Sequence, residues 1–412
     1  MTFQIARIAA LVPAALLALT TGLSAQTYER PPSFAADKIR GIKPVGDNYT
    51  IKSPVRSDGL FRVYDLTTPY GPFTVQGDQM LRMRLNELRA LAELEKLSQS
   101  EQYTKALVNA GISPIKYAGK LIVNPVDTIQ GTFAGVGSFL GSIGSGMTNA
   151  GKTQDDTLSS LIGVTRERRQ LAAKVGVDPY TDYEPLAAKL KLLSEAAALG
   201  GLTVTGAMMA IPGAAGIVVS NLSTANTLGD MRIEELARSY TASQILDLNR
   251  QRLLAMGVDK KLTETLLANR NFTPIDLAAM VAALDSMPKV SDRTVFIARA
   301  AGVNARATAY FMRRHAEMVA AHYARTGGFT RFVSLGGYPF NVALDGSMVG
   351  LMPVDVVSWT ESTAKAFSDS TSDLRRVAPG GVGEIRITGT ATNAAKQRLK
   401  EQGWRLVENA RI

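Results

Sequence analysis

The chain has 412 residues, no cysteine and a formal net charge of +10 at pH 7. The lack of cysteine excludes disulfides and a thiolate nucleophile, while a chain of this length can bury a core without covalent staples and is expected to form two or three domains. The positive charge favours anionic surfaces such as phospholipid or envelope polymers, whereas scattered basic residues without interleaved aromatics argue against a nucleic acid partner.

Residues 1–25 have the pattern of a secretory signal peptide. A single Arg7 precedes an apolar run over residues 8–19, and small and polar residues follow. This run is shorter than the about 20 residues that cross a bilayer, which favours a cleaved peptide over an uncleaved anchor helix. We therefore expect an exported protein of the bacterial cell envelope, periplasmic or secreted, and we leave membrane association open.

Two short segments follow the signal peptide. Residues 26–46 are rich in proline, arginine and lysine without periodicity, which predicts an extended leader. Residues 47–77 contain short alternating runs of Val, Phe, Tyr and Thr separated by glycine turns, which predicts a small β-meander.

From Asp78 the apolar period becomes helical, and residues 78–326 are predicted to form a helical domain. Thr241 and Thr273 are typical helix N-caps within it. Residues 196–229 carry no charge, and Pro212 followed by Gly213 lies near their middle. Because proline tends to end a helix, we expect residues 196–222 to form an apolar helical hairpin that the other helices bury.

Residues 327–412 alternate between strand and helix patterns, which predicts a small C-terminal α/β domain. Its last strand, helix and strand would form a right-handed βαβ unit if the two strands are parallel. The predicted fold class is therefore mainly α: a multi-helix bundle around the apolar hairpin, with a short N-terminal β-meander and a small C-terminal α/β unit.

Residues 146–153 match the phosphate-binding pattern G-x-x-x-x-G-K-[ST] letter for letter. In a working site the loop from Gly146 to Gly151 would hold phosphates, Lys152 would contact the terminal ones and Thr153 would bind magnesium. The context differs from that of a P-loop, since a glycine-rich run precedes the match and two aspartates follow it. If the protein binds a nucleotide, the candidate cofactor-binding residues are Gly146, Gly151, Lys152 and Thr153. We otherwise predict no cofactor.

Asp178, Asp182 and Glu184 could bind a cation, but they lack the fixed ligand positions and the central glycine of a calcium loop. Two histidines, His315 and His322, lie seven residues apart on one predicted helix. No third ligand accompanies them at zinc-like spacing, so we predict no metal site.

Ser362 and Lys365 match the S-x-x-K pattern of penicillin-recognising enzymes, as do Ser113 and Lys116. Neither pair is followed by Lys-Thr-Gly, so exposed helix residues are the preferred interpretation and we predict no catalytic residue. A further set of basic residues is predicted to be a solvated helix face, with lipid contact as the alternative: Arg166, Arg168, Arg169 and Lys174.

The sequence thus predicts a non-enzymatic scaffold or binding protein of the envelope, docked on an anionic membrane surface or on an envelope protein partner. One alternative is a membrane-inserting protein that uses the glycine-rich residues 128–151 and residues 196–222. The other is the nucleotide-binding protein. Self-association into a homo-oligomer is left open.

Overall fold

The computed structural model describes residues 28–109, 165–200, 227–228 and 231–411. Its helices are α1 (Asp78–Ser98), α2 (Glu101–Asn109), α3 (Arg166–Val175), α4 (Glu184–Gly200), α5 (Ile233–Ser239), α6 (Ala242–Ala255), α7 (Lys260–Leu267), α8 (Pro274–Asp285), α9 (Thr294–Ala301), α10 (Arg306–Thr326), α11 (Glu361–Val377) and α12 (Asn393–Glu401), with a 3₁₀ turn at Ala36–Lys38.

The strands are β1 (Val45–Gly46), β2 (Tyr49–Ile51), β3 (Arg56–Ser57), β4 (Arg62–Thr67), β5 (Phe73–Gln76), β6 (Thr227–Leu228), β7 (Met231–Arg232), β8 (Phe329–Leu335), β9 (Tyr338–Ala343), β10 (Met348–Met352), β11 (Val356–Val357), β12 (Gly383–Ile387), β13 (Thr390–Ala391) and β14 (Trp404–Val407). They include two five-stranded sheets, one near each end of the described chain.

The N-terminal sheet is organised around β4. Strands β2 and β3 pair with different halves of β4, and β5 pairs with it as well, all antiparallel. The predicted leader joins this unit, because Ala36, Ile39 and Ile42 are buried in the same core as the sheet and α1. Three apolar side chains, spaced three residues apart, therefore anchor this segment on the core, although its composition predicts an extended chain.

The C-terminal sheet has the strand order β14-β12-β10-β9-β8. Its strands β10, β12 and β14 are parallel, and α11 and α12 form the two crossovers between them. The last two strands are therefore parallel, as the predicted βαβ unit requires. Strands β8 and β9 form an antiparallel hairpin at the other side of the sheet.

The helices divide between two hydrophobic cores. One core combines the N-terminal sheet with side chains of α1 to α4 and with Tyr310 of α10, and the other combines α5 to α12 with the C-terminal sheet. Predicted N-caps act as expected: Thr241 and Thr273 each accept a backbone N–H in a capping box.

The predicted fold class, a helix bundle around an apolar hairpin with minor β parts, is wrong. The structure is about 51% helical and 18% strand, and each five-stranded sheet supplies part of a core. The apolar faces of helices are therefore covered by sheets: α1 packs on β5, α9 on β8 and β9, and α10 on β10. Helical periodicity shows that a helix has an apolar face, but it does not show what covers that face.

Several predictions fall outside the described residues. They concern the signal peptide, the glycine-rich residues 128–151 and the candidate phosphate loop. Of the apolar residues 196–222, the first five form the end of α4 and the rest lie outside. In the part of the chain that is described, no helix combines the length and the apolar character that a membrane span requires.

Candidate functional site

A chain of ion pairs connects α1 with α8 and α10, and it is buried at Asp276 and partly exposed at Asp182. Arg84 of α1 contacts Asp182, with 2.5 Å between Nη2 and Oδ2, and Arg306 of α10 contacts the same carboxylate at 3.0 Å. Arg306 also contacts Asp276 of α8 at 2.7 Å, and Arg313 contacts the other oxygen of Asp276 at 3.0 Å. Each of these two carboxylates therefore lies between two guanidinium groups. We call these residues, with those of the next paragraph, the arginine network.

Two glutamates complete the arginine network at its ends. Glu87 accepts from Arg84 at 2.7 Å, and Glu317 accepts from Arg313 at 3.0 Å and from Arg314. The side chains of Arg313 and Glu317 are 5% and 4% exposed, so these charges are almost withdrawn from water. Buried charges of this kind are tolerated only when partners of opposite charge surround them.

Of the three acids that suggested a cation site, only Asp182 belongs to the arginine network. Burial alone would raise the pKa of Asp182, but its two arginines hold that pKa below its ordinary value. Asp178 accepts a hydrogen bond from Thr273 Oγ1 at 2.6 Å, and Glu184 is exposed at the start of α4. The described residues contain no group of three or more metal-ligating side chains.

Asp355 joins the N-terminal unit to the C-terminal sheet. It follows the carboxyl end of β10, and its Oδ2 accepts the backbone N–H groups of Arg62 and Asp78, both at 3.0 Å. Helix α1 begins after Gly77, which has no side chain to cap it. Asp355 therefore supplies in space the N-cap that the local sequence lacks.

A cleft lies beside Asp355, and its empty volume of about 290 Å³ includes open solvent. Its walls include Phe61, Tyr310 and Arg314. Burial, together with the charge of Asp78, raises the pKa of Asp355 well above its ordinary range. A buried carboxyl of this kind is one element of general acid catalysis, but here its two backbone hydrogen bonds give it a structural role.

The two histidines do not form a joint site. His315 is fully buried between the rings of Phe296 and Phe311, with centroid distances of 5.1 and 5.8 Å. His322 stacks on Phe329 at 5.2 Å. Each imidazole is therefore packed on aromatic side chains rather than beside its partner histidine.

The S-x-x-K residues of α11 are bonded to other groups. Lys365 Nζ lies 2.7 Å from Asp369 Oδ2, and Ser362 Oγ lies 3.1 Å from Thr360 Oγ1. Lys365 is exposed and has an acid as its partner, so it is not placed to activate Ser362. The second pair, Ser113 and Lys116, and the four candidate phosphate-loop residues, Gly146, Gly151, Lys152 and Thr153, lie outside the described residues.

Four exposed basic side chains lie together on the N-terminal unit: Arg40, Lys43, Lys52 and Arg82, which we call the basic cluster. Ile51 donates its N–H to the carbonyl of Pro44 at 2.8 Å, which continues the β1–β2 pairing and places Lys43 opposite Lys52. Arg82 Nη2 lies 3.7 Å from the position that a Cβ on Gly41 would occupy.

The charges of the basic cluster are not neutralised by the rest of the described chain. None of its four side chains has an ion pair within the described residues, whereas the nearby acids Asp37 and Asp65 pair with Lys38 and Arg56. Asp47, in the β1–β2 turn, is the remaining exposed acid of this hairpin. The cluster is therefore a surface of excess positive charge on a packed scaffold.

The sequence does not reveal the basic cluster, because the composition of residues 26–46 predicts an extended leader. The basic residues of α3, predicted to be a solvated face, do not form one: Arg166 and Lys174 are exposed, but Arg169 is only 6% exposed. The signal that could have revealed the cluster is the spacing of Ala36, Ile39 and Ile42, which anchors the basic segment.

Comparison of the chain with protein-family models, with curated proteins and with solved structures gives no match.

Proposed function

We propose that the chain is an exported protein of the bacterial cell envelope, of a non-enzymatic scaffold type, which docks on an anionic surface through the basic cluster. The observation that carries this proposal is the contrast between interior and surface cations. The arginines of the network are satisfied by carboxylates, whereas the four cations of the basic cluster are exposed and have no acid partner among the described residues. The cluster is thus available to an external anion.

A bilayer with anionic headgroups is a suitable partner on energetic grounds. Each lysine or arginine close to such a surface contributes about 1 kcal/mol, so four of them contribute about 4 kcal/mol. The attraction acts over a Debye length of about 8 Å at physiological salt and about 3 Å at 1 M salt. Docking by the basic cluster alone should therefore be reversible and should weaken steeply as salt is added.

The test is sedimentation with vesicles of neutral phospholipid, with and without an anionic phospholipid. We expect the wild type to bind only the anionic vesicles and to be released by high salt. Lys43→Glu/Lys52→Glu reverses two charges and should weaken binding by about a hundredfold or more. The matched control is Lys260→Glu/Lys261→Glu, which reverses two adjacent exposed lysines on α7 and should bind like the wild type.

Equal binding by Lys43→Glu/Lys52→Glu and the wild type would contradict the proposal, provided that circular dichroism shows both to be folded. If the wild type stays bound to the vesicles in both high salt and carbonate, this result would instead favour the membrane-inserting alternative. The salt and carbonate treatments are applied to the same preparation of protein and vesicles.

A further inference from the structure

Three exposed apolar side chains lie at one end of the C-terminal sheet: Leu344, Val377 and Val382, which we call the apolar rim. They are 74%, 40% and 59% exposed. Among the described residues, seven large apolar side chains are exposed, and three of the seven are in this rim. Single exposed apolar residues are ordinary on a protein surface, whereas a group of them marks an interaction surface.

Backbone hydrogen bonds fix two of the three rim residues, Leu344 and Val382, at the amino ends of the parallel strands. Met348 begins β10 and lies opposite Gly383, the first residue of β12. The N–H of Met348 bonds to the carbonyl of Val382 at 2.9 Å, and the N–H of Leu344 bonds to the carbonyl of Gly328 at 3.0 Å. Leu344 and Val382 therefore lie in neighbouring turns at the amino ends of the strands, and the sheet fixes the positions of these turns.

The charges near the rim are mainly positive. Arg325, Arg375 and Arg376 are exposed at the ends of α10 and α11, the two helices that finish close to these turns. Asp373 pairs with Arg376 at 2.8 Å, and Asp345 accepts hydrogen bonds from Ser347. Apolar tips surrounded by arginines complement an anionic lipid surface, and the excess positive charge opposes pairing of the rim with a second copy of itself.

The N-terminal unit, which carries the basic cluster, packs at the end of the C-terminal sheet opposite to the rim. Asp355, which follows the carboxyl end of β10, binds the start of the N-terminal helix α1, so the N-terminal unit packs against the carboxyl ends of the strands. The rim lies at their amino ends, and the five residues of β10 separate the two ends by about 17 Å. We expect that one flat bilayer does not contact both surfaces.

We propose that the apolar rim is a second lipid-contacting surface, so that the protein tethers two anionic bilayers, one at the basic cluster and one at the rim. The inference rests on the proposed function for the first contact and on the rim alone for the second. Leu344 and Val382 would enter the interface between headgroups and acyl chains, and the surrounding arginines would bind the headgroups.

The experiment is vesicle clustering, followed by dynamic light scattering with anionic vesicles at low salt. We expect the wild type to cluster the vesicles. Leu344→Asp/Val382→Asp should still sediment with vesicles but should not cluster them, and Lys43→Glu/Lys52→Glu should lose clustering and most binding. Leu254→Asp is the matched control, because Leu254 is a lone apolar residue, 45% exposed on α6, and this variant should cluster vesicles like the wild type.

A second measurement reports the rim directly. The two native tryptophans, Trp359 and Trp404, are buried, so Leu344→Trp places a new emitter at the rim. We expect its emission to shift to shorter wavelength when anionic vesicles are added to it, relative to the wild type.

Binding without clustering by the wild type, or no emission shift of Leu344→Trp, would overturn the tether and leave the proposed function intact. Clustering by Leu344→Asp/Val382→Asp at the wild-type level would also overturn it. Wild-type binding by Lys43→Glu/Lys52→Glu would instead defeat the proposed function, so the two failures are distinguishable.

Discussion

Helix α10 carries two kinds of buried polar side chain within five residues. Arg313 and Glu317 bond to each other at 3.0 Å, and Arg313 also bonds to Asp276. His315, between them in sequence, is fully buried, and neither of its ring nitrogens has a hydrogen-bond partner among the described residues. Along the same helix, the buried charges are thus matched by opposite charges, whereas the imidazole is buried without a polar partner among the described residues.

The pKa values express the same difference. Burial alone would lower the pKa of Arg313, but Glu317 and Asp276 raise it above its ordinary value. Burial lowers the pKa of His315 to about 3, and the charge of Arg299 adds to this effect. The arginine therefore stays charged inside the protein, while the histidine stays neutral.

The largest effect is expected when the arginine network loses Asp276, a carboxylate shared by Arg306 and Arg313. Asp276→Asn keeps an oxygen for the capping box but removes the charge between two guanidinium groups. We expect the free energy of unfolding in urea to fall by about 3 to 5 kcal/mol. Asp65→Asn is the control, since Asp65 pairs with Arg56 on the surface at 3.1 Å and should cost about 1 kcal/mol or less. Equal losses in the two variants would contradict the network.

The sequence predicted the elements better than their partners. Helix α1 begins at Asp78, where the helical period begins, and Thr241 and Thr273 cap helices as predicted, because these signals lie within a few residues of each other. The cap that Asp355 provides to α1 comes from 277 positions away. Local periodicity contains no information on such a contact, and the fold class was wrong for the same reason: the sheets that cover the helices are distant in sequence.

The candidate sites show the same limit. The spacing of Asp178 and Asp182 suggests a cation site, but Arg84 and Arg306, which contact Asp182, are 98 and 124 positions away from it. Acids close in sequence resemble a cation site when distant arginines are not considered. The basic cluster was not predicted, because the overall composition of residues 26–46 indicates an extended chain. Only three apolar residues in this segment indicate that it packs on the core.

A smaller effect of opposite sign is expected for His315→Phe. Phenylalanine fits an apolar site between aromatic rings and removes the two unpartnered nitrogens, so we expect a gain of about 1 to 3 kcal/mol in the free energy of unfolding. The folded pKa of His315, about 3, lies below its ordinary value of 6.5, so the unfolded state binds more protons below pH 6.5. The wild type therefore loses stability as the pH falls from 6.5 towards 3, and the advantage of the variant should grow over that range.

The check on this prediction is urea unfolding of both proteins at neutral and at mildly acidic pH. His322→Phe is the control, because His322 is only partly buried and already stacks on Phe329. A variant at His315 whose advantage does not change with pH would show that the imidazole is not buried in its neutral form.

The smallest effect is expected at Asp178, a partly buried acid beside the arginine network. Burial, with the nearby charge of Asp276, raises the pKa of Asp178 from 3.8 to about 6. The folded state thus binds this proton more tightly than the unfolded state. The protonated carboxyl therefore contributes its full stabilisation of the folded state below pH 3.8, and this stabilisation is lost as the pH rises through about 6. Asp178→Asn removes the charge, and its Oδ1 can still accept the N–H of Tyr180, which donates to Asp178 at 2.8 Å. The variant loses the acceptor of the Thr273 Oγ1 hydrogen bond, which offsets part of the gain. We expect unfolding measurements to show the variant about 1 kcal/mol more stable at neutral pH and no more stable near pH 4. A variant that is less stable than the wild type at neutral pH would mean that Asp178 is held as an anion, like Asp182, rather than tolerated as a buried acid.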